Sequence, residues 1–220
     1  MKGLLQDIRY ALRQLRRTLG FSVVAGVTLS LGICASVAIF AFVDAALLKP
    51  LPYRDASRLV DVTEGSAMFP RANLSYLDYV DWKQMNTVFS SMDVWTGSGY
   101  LLQTPNGAVP VPAIRVSGGF FRTLGVKPLL GRDFYEGEDK VGAAPSVMLS
   151  FATWQNRFGG RDDVVGQAIS LSGKSYTVIG VLPKEFQFAL RGRAEFYAAL
   201  QPAMECEKRR SCHQRSTWGN

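Results

Sequence analysis

An uncharged run of twenty-six residues, from Thr18 to Val43, limits what this chain can fold into more than any other feature. About 20 helical residues cross a hydrocarbon core of roughly 30 Å, so the run can span a bilayer with some tilt. Because no water reaches the bilayer centre, a spanning backbone must satisfy its own hydrogen bonds, which favours a helix. The sequence therefore predicts a transmembrane helix, to which we assign residues 18–49.

The charges before the run predict its orientation. Residues 1–17 hold five basic side chains, including Arg9, Arg13, Arg16 and Arg17, against a single acidic one. Basic flanks stay in the cytoplasm, where arginines are attracted to anionic lipid headgroups. We therefore expect a cytoplasmic N-terminus, an inner (plasma) membrane location and a periplasmic C-terminal domain. A cleaved signal peptide is the alternative, although the run is longer than the 7–15 apolar residues of such peptides.

Residues 1–17 also repeat apolar side chains at helical spacing, with the arginines on the other side. This pattern predicts a cytoplasmic amphipathic helix lying in the headgroup layer, in contact with membrane lipid. An extended basic segment with accidental periodicity is the alternative. The repeated apolar residues are Leu4, Leu5, Ile8, Ala11, Leu12 and Leu15.

Three small residues within the run, Thr28, Gly32 and Ser36, recur at every fourth position and share one helix face. Small side chains at this spacing let a second helix approach closely. We expect this face to pack against further helices. The alternative is that small residues are simply common in spanning helices.

Charge argues against a nucleic-acid partner. The net charge is +7, but four of these charges come from residues 1–17, where five basic residues outweigh one acidic residue. The other charges are spread along the chain without a basic stripe interleaved with aromatic residues. We therefore predict no nucleic-acid binding.

Residues 50–220 mix strand and helix patterns, which predicts a mixed α+β domain. Asn106 and Gly107 tolerate the positive φ of a tight turn and predict a reversal before a strand. The predicted strands are 58–64, 109–116, 146–150, 168–171 and 176–182, and the predicted helices are 75–86, 120–124 and 151–158.

The chemistry-bearing residues of this domain predict no enzyme, cofactor or metal site. Ser172-Gly173-Lys174-Ser175 lacks the glycine spacing of a phosphate-binding loop, and strand patterns flank it on both sides. His213 is the only histidine and lies among arginines. The acidic residues Glu136, Glu138, Asp139, Asp162 and Asp163 are interpreted as solvated turn residues.

Two cysteines near the end, Cys206 and Cys212, could close a small disulfide loop outside the cell. Two unpaired thiols in a polar tail are the equal alternative.

Three blocks of the chain resemble ABC transporter permeases of the MacB/FtsX type, in particular the duplicated permeases of acidobacteria. The opening of those permeases is similar to LLQDIRYALRQLRRTLGFSVVAGVTLSLGICASVAIFAFVDAALLKPLPYRD. Their periplasmic core domain, inserted between the first and second spans, is similar to VSGGFFRTLGVKPLLGRDF and VMLSFATWQNRFGGRDDVVGQAISLSGKSYTVIGVLPKEFQF.

The resemblance implies a type VII ABC permease, in which a separate cytoplasmic ATPase drives paired permeases by mechanotransmission, some with a periplasmic adaptor. Such systems export or extract macrolides, peptides, toxins or lipoproteins. Family members contain four spans per unit, whereas this sequence predicts one. The expectation is thus an N-terminal permease portion, with a core domain incomplete at its C-terminus, that does not transport alone. A single-pass anchored periplasmic interaction domain without transport activity is the alternative.

Overall fold

A computed structural model gives the structure of the chain and describes residues 10, 13–14, 16–44, 53, 55–65, 74–186, 188, 194–203, 208–210 and 217–219. The chain divides into two compact units, Met1–Leu51 and Pro52–Asn220. Each unit is described by itself.

The first unit contains helix α1, Leu19–Val43, which confirms the helix predicted for the uncharged run. None of its 25 residues is buried. The Thr18 backbone N–H donates to the Gln14 carbonyl at 3.2 Å, and the Ser22 N–H donates to the Thr18 carbonyl at 3.0 Å. Helical hydrogen bonding thus begins before α1, in the basic segment. Among the described residues, α1 is the one helix long and apolar enough to cross a membrane.

The second unit is a mixed α+β domain, as predicted. Its helices are α2 (Tyr76–Met85), α3 (Phe120–Thr123) and α4 (Phe151–Phe158), with 3-10 turns at Ala56–Arg58 and Asp162–Val164. Its strands are β1 (Val60–Val62), β2 (Met92–Thr104), β3 (Gly107–Val116), β4 (Leu130–Gly131), β5 (Ser146–Leu149), β6 (Ala168–Leu171), β7 (Lys174–Val181), β8 (Phe196–Ala199) and β9 (Thr217–Gly219).

These strands form one sheet in the order β1-β9-β2-β3-β8-β5-β7-β4. The pairs β3–β8 and β5–β7 are parallel, and the other pairs are antiparallel. Strand β6 pairs with β7 along its length and with β2 at Leu102↔Leu171. This second pairing closes β2, β3, β8, β5, β7 and β6 into a ring.

The central strands bury both faces because their side chains alternate in direction. In β3, Ile114 and Val116 join one apolar cluster, whereas Val111 and Ala113 join another. The first cluster also contains the rings of Phe120, Phe121, Phe134 and Phe188. The second contains Trp154 of α4 and the apolar side chains of β5 and β7. Two cores on one sheet explain why its centre is almost wholly apolar.

Helix α2 packs near the start of β2 through a third cluster of Leu74, Tyr79, Met92, Val94 and Leu200. The Ser75 hydroxyl accepts a hydrogen bond from the Asp78 N–H at 3.1 Å and caps the helix. The sequence pattern over 75–86 therefore predicts this helix correctly.

The predicted turns are also found. Pro105 and Asn106 form the turn between β2 and β3. Ser172 and Gly173, with φ of +52° and +78°, connect β6 to β7. The Ser-Gly-Lys-Ser segment is therefore a hairpin turn, as predicted, and strand β7 begins at its lysine.

Candidate functional site

A buried carboxylate, that of Asp93 in β2, lies at the polar centre of the second unit. The residue is 2% exposed. Its Oδ1 accepts a hydrogen bond from the Ser117 hydroxyl at 2.8 Å, and its Oδ2 accepts one from the Thr123 hydroxyl at 2.5 Å. The Lys83 ammonium of α2 lies 3.4 Å from Oδ1. One side chain thus joins β2, α2 and the segment that carries α3.

The local sequence after β3 builds this centre. The Ser117 N–H donates to the Val94 carbonyl at 2.9 Å, and the Ser117 hydroxyl accepts from the Val94 N–H at 2.9 Å. A Cβ at Gly119 would lie 2.7 Å from both Asp93 oxygens, too close for any side chain. Within VSGGFFRTLGV, Ser117 and Thr123 therefore bind the Asp93 carboxylate, and Gly119 leaves the space that the carboxylate occupies.

Burial and charge act together on the two titratable neighbours. Burial would lower the pKa of Lys83, but the Asp93 charge and the hydrogen bonds to Tyr79 and Asp93 outweigh burial and raise it above its ordinary value. Burial, followed by the Asp93 charge, raises the pKa of Tyr79 to about 12. Lys83 therefore stays cationic and Tyr79 stays neutral at physiological pH. The Lys83 ammonium also donates to the Tyr79 hydroxyl at 3.0 Å.

This arrangement can hold elements together. Each Asp93 oxygen is occupied by a hydroxyl donor, and Lys83 balances the charge. Over the described part of the chain, no group of three or more His, Cys, Asp or Glu side chains could hold a metal ion. The centre is therefore a structural joint.

A second polar joint follows α3 along the chain. Gly131 has φ of +72°, and a Cβ there would overlap the Ile179 carbonyl oxygen of β7, so glycine is required. The next residue, Arg132, makes two hydrogen bonds to Glu138, at 3.0 and 2.7 Å. The Asp139 carboxylate accepts from the Gly118 N–H at 3.0 Å.

The interpretation of the acidic residues as solvated turn residues is therefore only partly right. Glu136, Asp162 and Asp163 are exposed. Glu138 and Asp139 are half-buried because they hold Arg132 and the Gly118 backbone. The sequence carries no periodic signal for these contacts, since both acids lie in an irregular loop.

The predicted packing face lies along an open groove of α1. Thr28, Gly32 and Ser36 line it together with Ala25 and Ile33. The Thr28 hydroxyl donates to the Val24 carbonyl at 2.8 Å, and the Ser36 hydroxyl donates to the Gly32 carbonyl at 2.9 Å. Both hydroxyls are thus satisfied within the helix, and the groove is apolar and shallow. Its packing role stays a prediction.

The other predicted residues are distributed as follows. Arg13, Arg16 and Arg17 are exposed. Arg9, Cys206 and Cys212 lie outside the described residues, so the lipid contact of Arg9 and the disulfide stay predictions. Cys34 in α1 is a free, exposed thiol.

Sequence reasoning did not single out Asp93, Lys83 or Thr123 as partners. Lys83 and Thr123 lie 10 and 30 residues from Asp93, and the three residues belong to different elements. The available signal is an acidic residue between apolar neighbours, Met92 and Val94, where an unpaired charge would be costly to bury.

The fold and the joint define a class: an α+β domain with a buried polar centre, in a chain that also carries a helix of membrane-spanning length. The model of the MacB-like periplasmic core domain matches residues 22–215. This chain belongs to that family, which confirms the resemblance seen in the sequence blocks.

Solved structures share this fold. The periplasmic region of MacB from Actinobacillus actinomycetemcomitans matches with a TM-score of 0.53 and 15% identity, over 74% of this chain and 72% of that one. The extracellular domain of the noncanonic ABC-type transporter YknZ from Gram-positive bacteria matches with a TM-score of 0.50 and 13% identity, over 74% and 81%. A domain of a putative permease protein from Porphyromonas gingivalis matches with a TM-score of 0.50 and 13% identity, over 68% and 63%. No curated protein matches the chain.

Proposed function

We propose that this chain provides the first membrane span and the periplasmic core domain of an ABC transporter permease of the MacB/FtsX type. The observation that carries the proposal is the family match, which begins within α1 and continues through the second unit. The named relatives support it, since one structure is the periplasmic region of MacB and another belongs to an ABC-type transporter.

The proposed organisation has three parts: a cytoplasmic amphipathic helix at 1–17, a transmembrane helix at 18–49 and a periplasmic core domain at 50–220. The exposed Arg13, Arg16 and Arg17 before α1 support a cytoplasmic N-terminus in the inner membrane. A reporter that is active only outside the cytoplasm tests this. We expect activity when it follows the second unit and none when it precedes residue 1. The reverse pattern would contradict the orientation.

The proposed mechanism is mechanotransmission, in which a separate cytoplasmic ATPase moves the spans and the spans move the outer domain. The second unit suits this role because its helices and strands are tied by buried contacts. Asp93, for example, connects β2 both with α2 and with the turn of α3. A second permease protomer and a periplasmic adaptor are the other proposed partners.

Reconstitution tests the transport proposal. The gene product with any downstream permease sequence would be co-purified from its host membrane together with an ATPase, in nanodiscs. We expect ATP hydrolysis to change severalfold on association, and to lose that change when Asp93→Asn weakens the outer domain. An Asp163→Asn variant, altered at an exposed carboxylate, is the matched control. The proposal would be contradicted if the permease purified without any ATPase and if the rate of ATP hydrolysis did not respond to the permease.

The second candidate is a single-pass anchored periplasmic interaction domain. It is favoured by one observation: the described residues contain one helix of spanning length. It predicts a stable periplasmic partner in cross-linking experiments and no dependence on ATP.

A further inference from the structure

The ring of six strands, β2, β3, β8, β5, β7 and β6, has a polar end. Arg115 lies near the end of β3, Gln201 follows β8, and Lys174 begins β7. Strand β8 runs parallel to β3 and antiparallel to β5, and β5 runs parallel to β7. The end of β3, the end of β8 and the start of β7 therefore meet at one end of the ring. We call this end the ring mouth, and it consists of Arg115, Gln201, Lys174, Tyr100 and Tyr176.

Contacts join the side chains of the ring mouth to one another. Nη1 of Arg115 donates to the backbone carbonyl of the residue before Gln201 at 3.4 Å. Oε1 of Gln201 accepts a hydrogen bond from the Lys174 ammonium at 3.3 Å. That ammonium lies 5.8 Å from the centre of the Tyr176 ring, and the Tyr176 ring lies 5.7 Å from the Tyr100 ring. The Arg115 charge acts in turn on the Tyr100 hydroxyl, so these contacts form a closed circuit.

Neither cation of the ring mouth has an acidic partner. The ion pairs within the described part of the chain all involve other cations. Arg115 is half-buried, and its buried Nε has no acceptor among the described residues. Glu138 and Asp139, whose backbone carbonyls accept hydrogen bonds from Gln201, direct their carboxylates to Arg132 and to a backbone N–H instead. Because a guanidinium that is withdrawn from water is costly without a counter-charge, the mouth favours an anion.

The two tyrosines of the ring mouth add hydroxyl groups to these cations. Tyr176 is 8% exposed and belongs to the second apolar cluster, against which the half-buried Tyr100 packs. Burial, and after it the Tyr176 hydroxyl, raise the pKa of Tyr100, so this phenol keeps its proton at physiological pH. Two cations beside protonated hydroxyl groups form a donor set for an anion that carries several oxygens.

We propose that the ring mouth binds a phosphate group, either inorganic phosphate or the phosphate of an ester, through Arg115 and Lys174, with the tyrosine hydroxyls as further donors. A phosphate group carries a charge of about −1.5 to −2 near pH 7, which matches two cations better than the single charge of a carboxylate does. Ligand sites are often found in the mouths of β-barrels. The site does not depend on the transport proposal.

Isothermal titration calorimetry of the full chain, in micelles of an uncharged detergent, tests the site with inorganic phosphate as the probe. We expect saturable binding at millimolar phosphate or below, and acetate should bind about 10-fold more weakly at equal ionic strength. Arg115→Gln and Lys174→Gln should each weaken phosphate binding by about 10-fold or more. Lys127→Gln removes an exposed lysine outside the ring mouth and should bind phosphate as the parent does.

The exposed position of Lys174 keeps the test decisive if Arg115→Gln does not fold. Glycerol 3-phosphate distinguishes the two sources of the phosphate group. Tighter binding than that of inorganic phosphate supports an ester as the ligand, and weaker saturable binding supports free phosphate. The proposal is overturned if neither phosphate compound binds saturably, if acetate binds as tightly as phosphate, or if Lys174→Gln binds phosphate as the parent does.

Discussion

Helix α1 and the central sheet are both rich in apolar residues, but the apolar side chains are exposed in α1 and buried in the sheet. In α1 the mean hydropathy reaches 2.3 and none of the residues is buried. In the sheet, Val116, Val147 and Phe196 are fully buried. A helix that is apolar on all sides needs lipid or other helices around it, whereas a sheet covered on both faces is stable through its own packing. Substitutions that are matched between the two regions can test this difference.

The largest effect is expected from an aromatic core residue. Phe121 is fully buried, and its ring lies 5.4 to 6.2 Å from four other rings, those of Phe120, Phe134, Phe186 and Tyr197. Phe121→Ala should lower the free energy of unfolding of the second unit by about 3–5 kcal/mol. Phe40→Ala, which changes an exposed α1 residue in the same way, should leave that value unchanged. Urea denaturation of both variants makes the comparison. Equal losses would show that the two regions do not differ as described.

A somewhat smaller effect is expected at the polar centre. Asp93→Asn removes the charge that pairs with Lys83. It also replaces one carboxylate oxygen, which accepts a hydrogen bond from a hydroxyl, by an NH₂ group that can only donate. We expect a loss of about 2–3 kcal/mol in the free energy of unfolding. Asp163→Asn should change it by less than about 0.5 kcal/mol, because surface ion pairs contribute little. If the two variants proved equally stable, Asp93 would not be the joint between α2, β2 and α3.

Steric crowding at the same centre predicts the next effect. Gly119→Ala places a methyl group 2.7 Å from the Asp93 oxygens, which should cost about 1–3 kcal/mol as the pair moves apart. Gly99→Ala is the matched control, since its new Cβ would meet only the Val111 carbonyl, at 3.9 Å. Thermal unfolding should show a lower Tm for the first variant alone. A normal Tm for Gly119→Ala would mean that the packing there is looser than the structure shows.

The smallest effect is expected in α1. A Cβ at Gly32 meets nothing within 4 Å, so Gly32→Leu should leave the helix itself intact and should alter only its association with other helices. Loss of the predicted packing face should weaken that association by about 1 kcal/mol. A two-hybrid assay for membrane helices measures it. Gly26→Leu, on another face, is the control, and an equal loss in both variants would contradict the assignment of the face.

The sequence predicts elements well where local signals agree. Ser75 caps α2 and Ser150 caps α4, where it accepts a hydrogen bond from the Thr153 N–H at 3.2 Å. Gly159 ends α4 with φ of +66°. Cap, periodicity and terminator lie within a few residues of each other, so no distant contact is needed to recognise these helices.

Strand β2 illustrates what local signals miss. It is 13 residues long, yet no strand is predicted over Met92–Thr104. Asp93, Thr96 and Ser98 interrupt the apolar alternation, and Gly97 and Gly99 weaken the strand propensity. Pairing with β3 from Trp95↔Val116 to Thr104↔Gly107 compensates for both. The strand therefore forms because of its neighbour.

The sequence by itself determined the long apolar helix, its basic flank, the α+β class and the family, because each depends on short stretches whose hydrophobicity, charge and turn residues act locally. The tertiary structure decided which polar residues meet. Asp93 of β2 meets Lys83 of α2, Thr123 of α3 and Ser117, which lies between β3 and α3. Only the folded chain brings these side chains within hydrogen-bond distance.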